Sequence, residues 1–318
     1  MSESTGPVRF TVFTPTYNRA HTLGRVYASL CAQTYRSFEW LVVDDGSTDD
    51  SQSLLDRFSK TAPFTIRINF QKNGGKHRAH NSAIDRVRGE LVVILDSDDE
   101  LTSDSLALLS SEWDNIPSLQ RESYAGILGN SVSADNVLVG RAYADQFVDG
   151  KHFELAAAGI MTGDKLPCYR ADVLRAFPFP ERAGCNAYVP EGVVWTRISR
   201  EYKVRCINQI VRIYHRDKTD TNSLMNSYKQ PDSNAWGNFQ YAVVVLNLSS
   251  EYCPRFFIVF LKAAINCTRY ALHSKSGALS PLHLIRNIIG KAFWIALFPV
   301  GIAIWCVERI QISARRVQ

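Results

Sequence analysis

Residues 90–99 read ELVVILDSDD, an apolar run that ends on three carboxylates, Asp96, Asp98 and Asp99. A short run that is apolar at every position predicts a strand buried on both faces of a sheet. Working outward, Val8–Thr14 (VRFTVFT), Phe38–Val43 (FEWLVV) and Thr65–Asn69 read as strands too, and Pro15 is expected to break the first. Helical spacing lies between them: His21–Gln33, with Leu23, Val26, Tyr27 and Leu30 on one face, then Ser51–Phe58, Arg78–Val87 and 103–111. Strand, loop and helix alternate through the first hundred residues, which predicts an α/β sheet, mainly parallel, with helices on both sides. Polar clusters follow the strands at Pro15–Arg19, Asp44–Asp49, Asn73–Asn81 and Asp96–Asp99. Open α/β sheets bind ligands at the carboxyl ends of their strands.

Beyond residue 100 the pattern loosens. Ala125–Asn130, Asn136–Gly140 and Val204–Tyr214 read as strands, and Glu154–Ile160 and Val193–Glu201 as helices. Asp164–Pro180 mixes proline and aromatics without a clear period, and Lys218–Asn234 is polar and loop-like. From Trp236 onward the chain is helical and increasingly apolar. The domains expected are therefore 1–230, with a ligand-binding half 1–105 and a second half 106–230, followed by a helical extension, 231–318.

The chain has 318 residues, 46% hydrophobic and 21% charged, which supports a real core and excludes a disordered or fibrous protein. Seven cysteines, an odd and widely spaced set without a C-x-x-C pair, point to reduced thiols in a cytosolic setting. No long apolar run occupies the first twenty residues, so no cleaved secretory signal is expected. The net charge of +5 conceals a division. Residues 1–251 carry 27 Lys+Arg against 30 Asp+Glu, whereas 252–318 carry nine against Glu308 alone. No nucleic-acid-binding module accompanies these cations, and no G-x-G-x-x-G follows the first strand, which disfavours a Rossmann dehydrogenase.

The carboxylates at the end of the fourth strand repel one another unless a cation or water relieves them. Such hard oxygen ligands suit Mg²⁺ or Mn²⁺ bridged to phosphates, and a solvated turn capping the next helix is the plain alternative. The ordered set TPTYNR (14–19), Gln33-Thr34-Tyr35, LVVDDGSTDDS (41–51), NGGKHRAHNSA (73–83) and LDSDD (95–99) resembles a family 2 glycosyltransferase of the GT-A fold. NGGKHRAHN and DSDD are similar to forms in bacterial enzymes that extend polysaccharide repeat units, some of them on a sugar attached to polyprenyl diphosphate. Weaker likeness continues to about residue 215 through Pro190-Glu191-Gly192 and Trp195.

The resemblance implies a Rossmann-like, mixed and mainly parallel sheet and an inverting, metal-dependent hexosyl transfer from a nucleotide-sugar donor, UDP-sugar favoured. It implies that Thr14, Pro15, Tyr17 and Arg19 contact the donor nucleotide, that Asp45 binds the uracil ring, and that Asp44 holds its loop. Lys76 would sit near base and phosphates, and Asn81 would face the donor. Asp96 and Ser97 would lie near the ribose, Asp98 would bind the divalent ion with Asp96, and Asp99 would lie beside it. His215 is either a further metal ligand or a polar strand-end residue. Glu191 is the candidate general base, with Glu181 and Asp164 as rivals and a helix-dipole role as the plain alternative. The family's usual acidic pair at this place is Glu-Gly here. Met161–Arg170 is a candidate acceptor lining. A nucleotide-sugar-binding membrane protein without catalysis is the rival class.

Ala292–Val307 is 16 residues without a charge, about 24 Å as a helix and short of the roughly 30 Å hydrocarbon core. Pro299 and Gly301 are expected to interrupt it, and Trp294 and Trp305 lie near its ends. With the basic flanks, this predicts peripheral or monotopic attachment, in-plane or re-entrant, to the cytoplasmic face of the inner (plasma) membrane. A buried core helix or an oligomer interface is the alternative. Expected partners are the nucleotide-sugar donor, a lipid-linked or oligosaccharide acceptor and the membrane surface. Oligomeric state is left open.

Overall fold

The computed structural model describes residues 8–186, 188–216, 232, 234–248 and 250–315. Most of the polar stretch 218–234 therefore lies outside the described residues. The chain divides into two compact units, residues 1–179 with 201–219, and 180–200 with 220–318. The segment carrying Glu191 thus groups with the C-terminal helices.

The first unit is built on one sheet with strand order β3-β2-β1-β4-β8-β6-β9-β5, with β7 also paired to β9. Its strands are β1 Phe10–Thr16, β2 Phe38–Asp44, β3 Thr65–Phe70, β4 Leu91–Ile94, β5 Glu100–Leu101, β6 Tyr124–Ser133, β7 Phe147–Gly150, β8 Leu166–Arg170 and β9 Lys203–Tyr214. β3, β2, β1 and β4 run parallel, β8 is antiparallel to both neighbours, and β6 and β9 are parallel to each other. Chain order runs outward from β1 through β2 to β3, and β4 then returns to the other side of β1. That makes the carboxyl ends of β1 and β4 a topological switch point.

Helices α1 (Ala20–Cys31), α2 (Ser51–Thr61), α3 (Lys76–Ile84) and α4 (Ser105–Asp114) flank the sheet. Leu23, Val26 and Leu30 of α1 recur on one helical face and join Phe10, Val12, Trp40, Val42, Leu91, Leu106 and Trp113 in the core. The alternate residue Phe13 meets His80 of α3 edge to face, which puts α3 on the opposite side of the sheet.

Pro15 does not end β1, which runs on to Thr16. The Leu95 N–H donates to Phe13 and the Asp45 N–H to Thr16, so alternate residues of β1 face β4 and β2. Pro15 falls on the β4 side, past the last β4 register pair Phe13–Ile94, so the proline sits where the β1–β4 ladder ends and β1 continues against β2 alone. Asn136–Gly140 forms no strand and contributes only an isolated bridge, Val132–Leu138. Asp164–Pro180, which has no clear period, holds the antiparallel strand β8 followed by the short helix Ala171–Ala176.

The second unit holds α5 (Gly192–Ile198), α6 (Ala235–Leu246), α7 (Phe257–His273) and α8 (Ile288–Arg315). Pro299 and Gly301 do not interrupt α8, which is one helix of 28 residues. Pro299 lies on its exposed side, turned away from α7, where its ring meets no neighbouring helix among the described residues.

Candidate active site

Four polar segments meet at the β1–β4 switch point because each directly follows or opens an element fixed by the core. Asp44, the last residue of β2, takes the Ser47 N–H on Oδ1 at 2.8 Å and so closes the turn after the strand. Asp45 is 4% exposed, and its carboxylate accepts from Gln71 Nε2 (2.7 Å), Gly74 N (2.9 Å) and Gly75 N (2.7 Å). It pins the loop leading into α3. Between them Gly46 has φ +84°, and a Cβ there would stand 2.8 Å from the Asn73 amide nitrogen. Only glycine lets the two loops approach so closely.

Beyond β1, Tyr17 is 41% exposed, and Asn18 takes φ 54° while its Oδ1 accepts the Thr48 N–H at 2.7 Å. Arg19 is 8% exposed and aims its guanidinium at Asp98, with Nη2 3.9 Å from Oδ2. Thr14 is fully buried and accepts the Trp40 indole N–H at 3.0 Å, and Pro15 beside it is also buried. Asn81 forms a two-way clamp on Phe179, donating to its carbonyl at 3.0 Å and accepting its N–H at 2.9 Å.

Ligand oxygens of Asp96, Asp98 and Asp99 come within 4.8 Å of one another at the end of β4, around the buried Ser97. Lys76 Nζ lies 2.6 Å from Asp96 Oδ1. Burial would push the Asp96 carboxyl up, but Lys76, Arg212 and Arg19 outweigh it and hold the pKa low. Asp98 is raised, by burial first and by the charge of Asp96 second. Asp99 is 1% exposed, and burial lifts it to about 7 against the pull of Arg212, with Asp96 adding to the rise. Its Oδ2 faces Arg212 Nη1 at 3.2 Å without an aligned hydrogen bond. Three hard oxygen donors, two of them with raised pKa and one with an unsatisfied buried oxygen, suit a small divalent cation.

His215 meets the cluster through its backbone, donating N–H to Asp99 Oδ1 at 3.0 Å. Its imidazole turns to Glu100, with Nε2 2.6 Å from Oε1. Among the described residues, the side chains that gather as a candidate metal set are the three aspartates.

Sequence reasoning missed Arg25 and Arg212. Arg25 donates to the Asp98 carbonyl at 2.8 Å. Arg212 is 2% exposed and spends Nε on Ser131 Oγ (2.9 Å), Nη1 on Asp99 and Nη2 on Asp164 (3.1 Å). Asp164 itself is 57% exposed. A buried cation at a strand position opposite an acidic loop is the one signal that would have flagged Arg212, and it needs the β9–β5 pairing to be seen.

In the second unit Glu191 precedes α5, and its carbonyl accepts the Val194 and Trp195 N–H groups at 2.9 and 3.1 Å. Its carboxylate makes no capping hydrogen bond to the helix. At Gly192 a Cβ would lie 2.9 Å from the Tyr241 ring, so that ring occupies the space of a side chain after Glu191. Trp195 is buried at 6% exposed, a core position.

The sequence profile of glycosyl transferase family 2 matches residues 11–188, more than half of the chain and every polar segment of the switch point. The chain belongs to glycosyl transferase family 2. It is 25% identical over 234 residues to a GalNAc(5)-diNAcBac-PP-undecaprenol beta-1,3-glucosyltransferase of Campylobacter jejuni, covering 70% of each chain. In three dimensions it is similar to S. aureus TarS 1–349 in complex with UDP-GlcNAc, with TM-score 0.63 and 18% identity over 91% of this chain and 79% of that one. It is also similar to a mannosyltransferase of Pyrobaculum calidifontis in complex with GDP-Man and Mn²⁺, with TM-score 0.52 and 19% identity over 98% and 87%. The fold of this family 2 transferase is GT-A, a mixed, mainly parallel sheet with flanking helices.

Proposed function

We propose that this family 2 transferase moves a hexose, with inversion, from a nucleoside-diphosphate donor to a saccharide acceptor. The observation that carries the reading is the trio Asp96, Asp98 and Asp99 at the β4 end, held between Lys76 and Arg19. Asp98, with Asp96 and Asp99, would hold Mn²⁺ or Mg²⁺. The ion would supply Lewis-acid stabilisation of the departing nucleoside diphosphate. Lys76 and Arg19 add positive charge where that leaving group develops its own negative charge. Tyr17 and the Asp45-anchored loops form the nucleotide cradle, and UDP is the favoured nucleotide. Asn81, through its clamp on Phe179, braces the wall of that cradle.

Glu191 is the proposed base that takes the proton of the acceptor hydroxyl, a reading supported by its place in the family-like segment Pro190-Glu191-Gly192 just before α5. The acceptor is proposed to be a sugar on polyprenyl diphosphate, in assembly of a bacterial surface polysaccharide. The relative from C. jejuni, named for an undecaprenol-linked glycan, supports this. The protein is proposed to work at the cytoplasmic face of the membrane, associated through its basic, apolar C-terminal helices. Tethering there raises the effective concentration of a lipid-borne acceptor.

The test is a panel of UDP- and GDP-sugars against a polyprenyl-diphosphate-linked N-acetylhexosamine, with Mn²⁺ or Mg²⁺ and with EDTA. Asp98→Ala is expected to lower turnover by about two to three orders of magnitude, the scale on which loss of one electrostatic group acts. Undiminished transfer by Asp98→Ala in EDTA would refute the metal-assisted mechanism.

A further inference from the structure

Helix α8 is long and apolar enough, by length and composition, to cross a membrane over Ile288–Ser313. Those 26 residues would measure about 39 Å, more than the roughly 30 Å hydrocarbon core. Its packing argues against crossing. One side of α8 is fastened to α7: the Trp294 indole N–H donates to Thr268 Oγ1 at 2.9 Å, and Gly301 lets the helices touch, since a Cβ there would stand 2.6 Å from the Thr268 Cβ. At the far end Glu308 takes the Arg269 guanidinium on both oxygens and lies 3.0 Å from His273 Nε2. Glu308 is the sole acidic residue of 252–318, and it is spent inside the helix pair.

The other side of α8 is a continuous exposed apolar face. Ile288, Ile295, Val300, Val307 and Ile310 are 83%, 58%, 41%, 54% and 70% exposed. No charged residue occurs from Ala292 to Val307. An uncovered apolar strip of this length is uncommon on a free-standing domain and marks a contact surface. Charge selects the occupant. Exposed Lys262 on α7, Arg309 on α8 and Arg286 in the link between them belong to the same helix pair, so a second copy would bring cations against cations, whereas an anionic bilayer would attract them. For α8 to span, it would have to leave α7 or draw Lys262, Asn266 and Arg269 of α7 into hydrocarbon.

We infer that α8 lies in the plane of an anionic lipid surface with its apolar face down, and that the Glu308–Arg269–His273 junction is the staple that stops it from spanning. The inference deepens the membrane association proposed above and rests on it. All positions along the exposed face then sit at one shallow depth, about 5–10 Å below the headgroup boundary. A spanning α8 would separate positions 295 and 310 by up to about 22 Å along the membrane normal.

The experiment uses the full-length chain with its other cysteines replaced by serine and a single thiol at native Cys306, at Ile295→Cys or at Ile310→Cys. Each is labelled with a fluorophore and bound to phosphatidylcholine/phosphatidylglycerol vesicles that carry spin-labelled lipids quenching at known depths. The expected result is binding that needs phosphatidylglycerol and weakens with salt, with the three depths agreeing within a few ångströms. In Glu308→Ala the depths are expected to spread. Depths that differ by about 20 Å in the unaltered helix pair overturn the in-plane inference and leave membrane association standing. Failure of the protein to bind these vesicles overturns both.

Discussion

Arg212→Met isolates the electrostatics of the site. Arg212 and Asp99 are 3% and 1% exposed at the side chain, so the substitution leaves a buried carboxyl without its counter-ion. Stranding one partner of a buried pair costs about 3–5 kcal/mol if the charge remains. The bond to Asp164, more than half exposed, adds under about 1 kcal/mol. Asp99 has an escape, because burial already lifts its pKa to about 7 and Arg212 is the chief influence holding it down. Without Arg212 the carboxyl keeps its proton to still higher pH. A folded pKa above the unfolded value contributes stability that is full below the unfolded pKa and is lost as pH rises through the folded one. In the unaltered protein that loss levels off above about 7, and in the variant it continues. The penalty should therefore be about 1 kcal/mol near pH 6, mostly the lost Ser131 bond, and grow above pH 7 by up to about 1.4 kcal/mol per pH unit. Urea unfolding in EDTA, followed by tryptophan fluorescence between about pH 6 and 8.5, reads this directly. Asp99→Asn combined with Arg212→Met should abolish the slope. A penalty that stays constant across the range refutes the reasoning.

Glu191→Gln should cut glycosyl transfer by about two orders of magnitude or more while UDP affinity, measured by calorimetry with Mn²⁺, stays within about twofold. Near-normal turnover would move the proton acceptor to Glu181 or Asp164. Gly46→Ala forces a side chain into φ +84° and against the Asn73 amide, and should cost about 1–3 kcal/mol in thermal or urea unfolding with a weaker hold on UDP. Unchanged stability would show that the two loops are not in contact. Arg269 and His273 outweigh the burial of Glu308 and hold its carboxyl below the ordinary value, so their junction contributes stability above about pH 4.5 that is lost as pH falls below it. Proteolysis of the C-terminal helices should accelerate in that acid window, and Glu308→Gln should remove the acceleration.

The alternation of strand and helix could be read from the chain, because burial writes period 2 and period 3.6 into neighbouring residues. The polar clusters after β1, β2 and β4 were equally plain, since a strand end and its loop are local facts. The ordered motifs then carried the family, which the profile over 11–188 bears out. Other features needed the tertiary structure. β8 was hidden because an antiparallel strand between β4 and β6 is specified by partners far away in the chain, and Pro167 masks its pattern. The partners of His215 and Arg212 depended on β9 meeting β5, more than a hundred residues apart. The apolar run near the C-terminus predicted an apolar helix there, which α8 is. Its continuity through Pro299, and the pairing of Glu308 with α7 that leaves one face of α8 bare, were decided only when the two helices packed side by side.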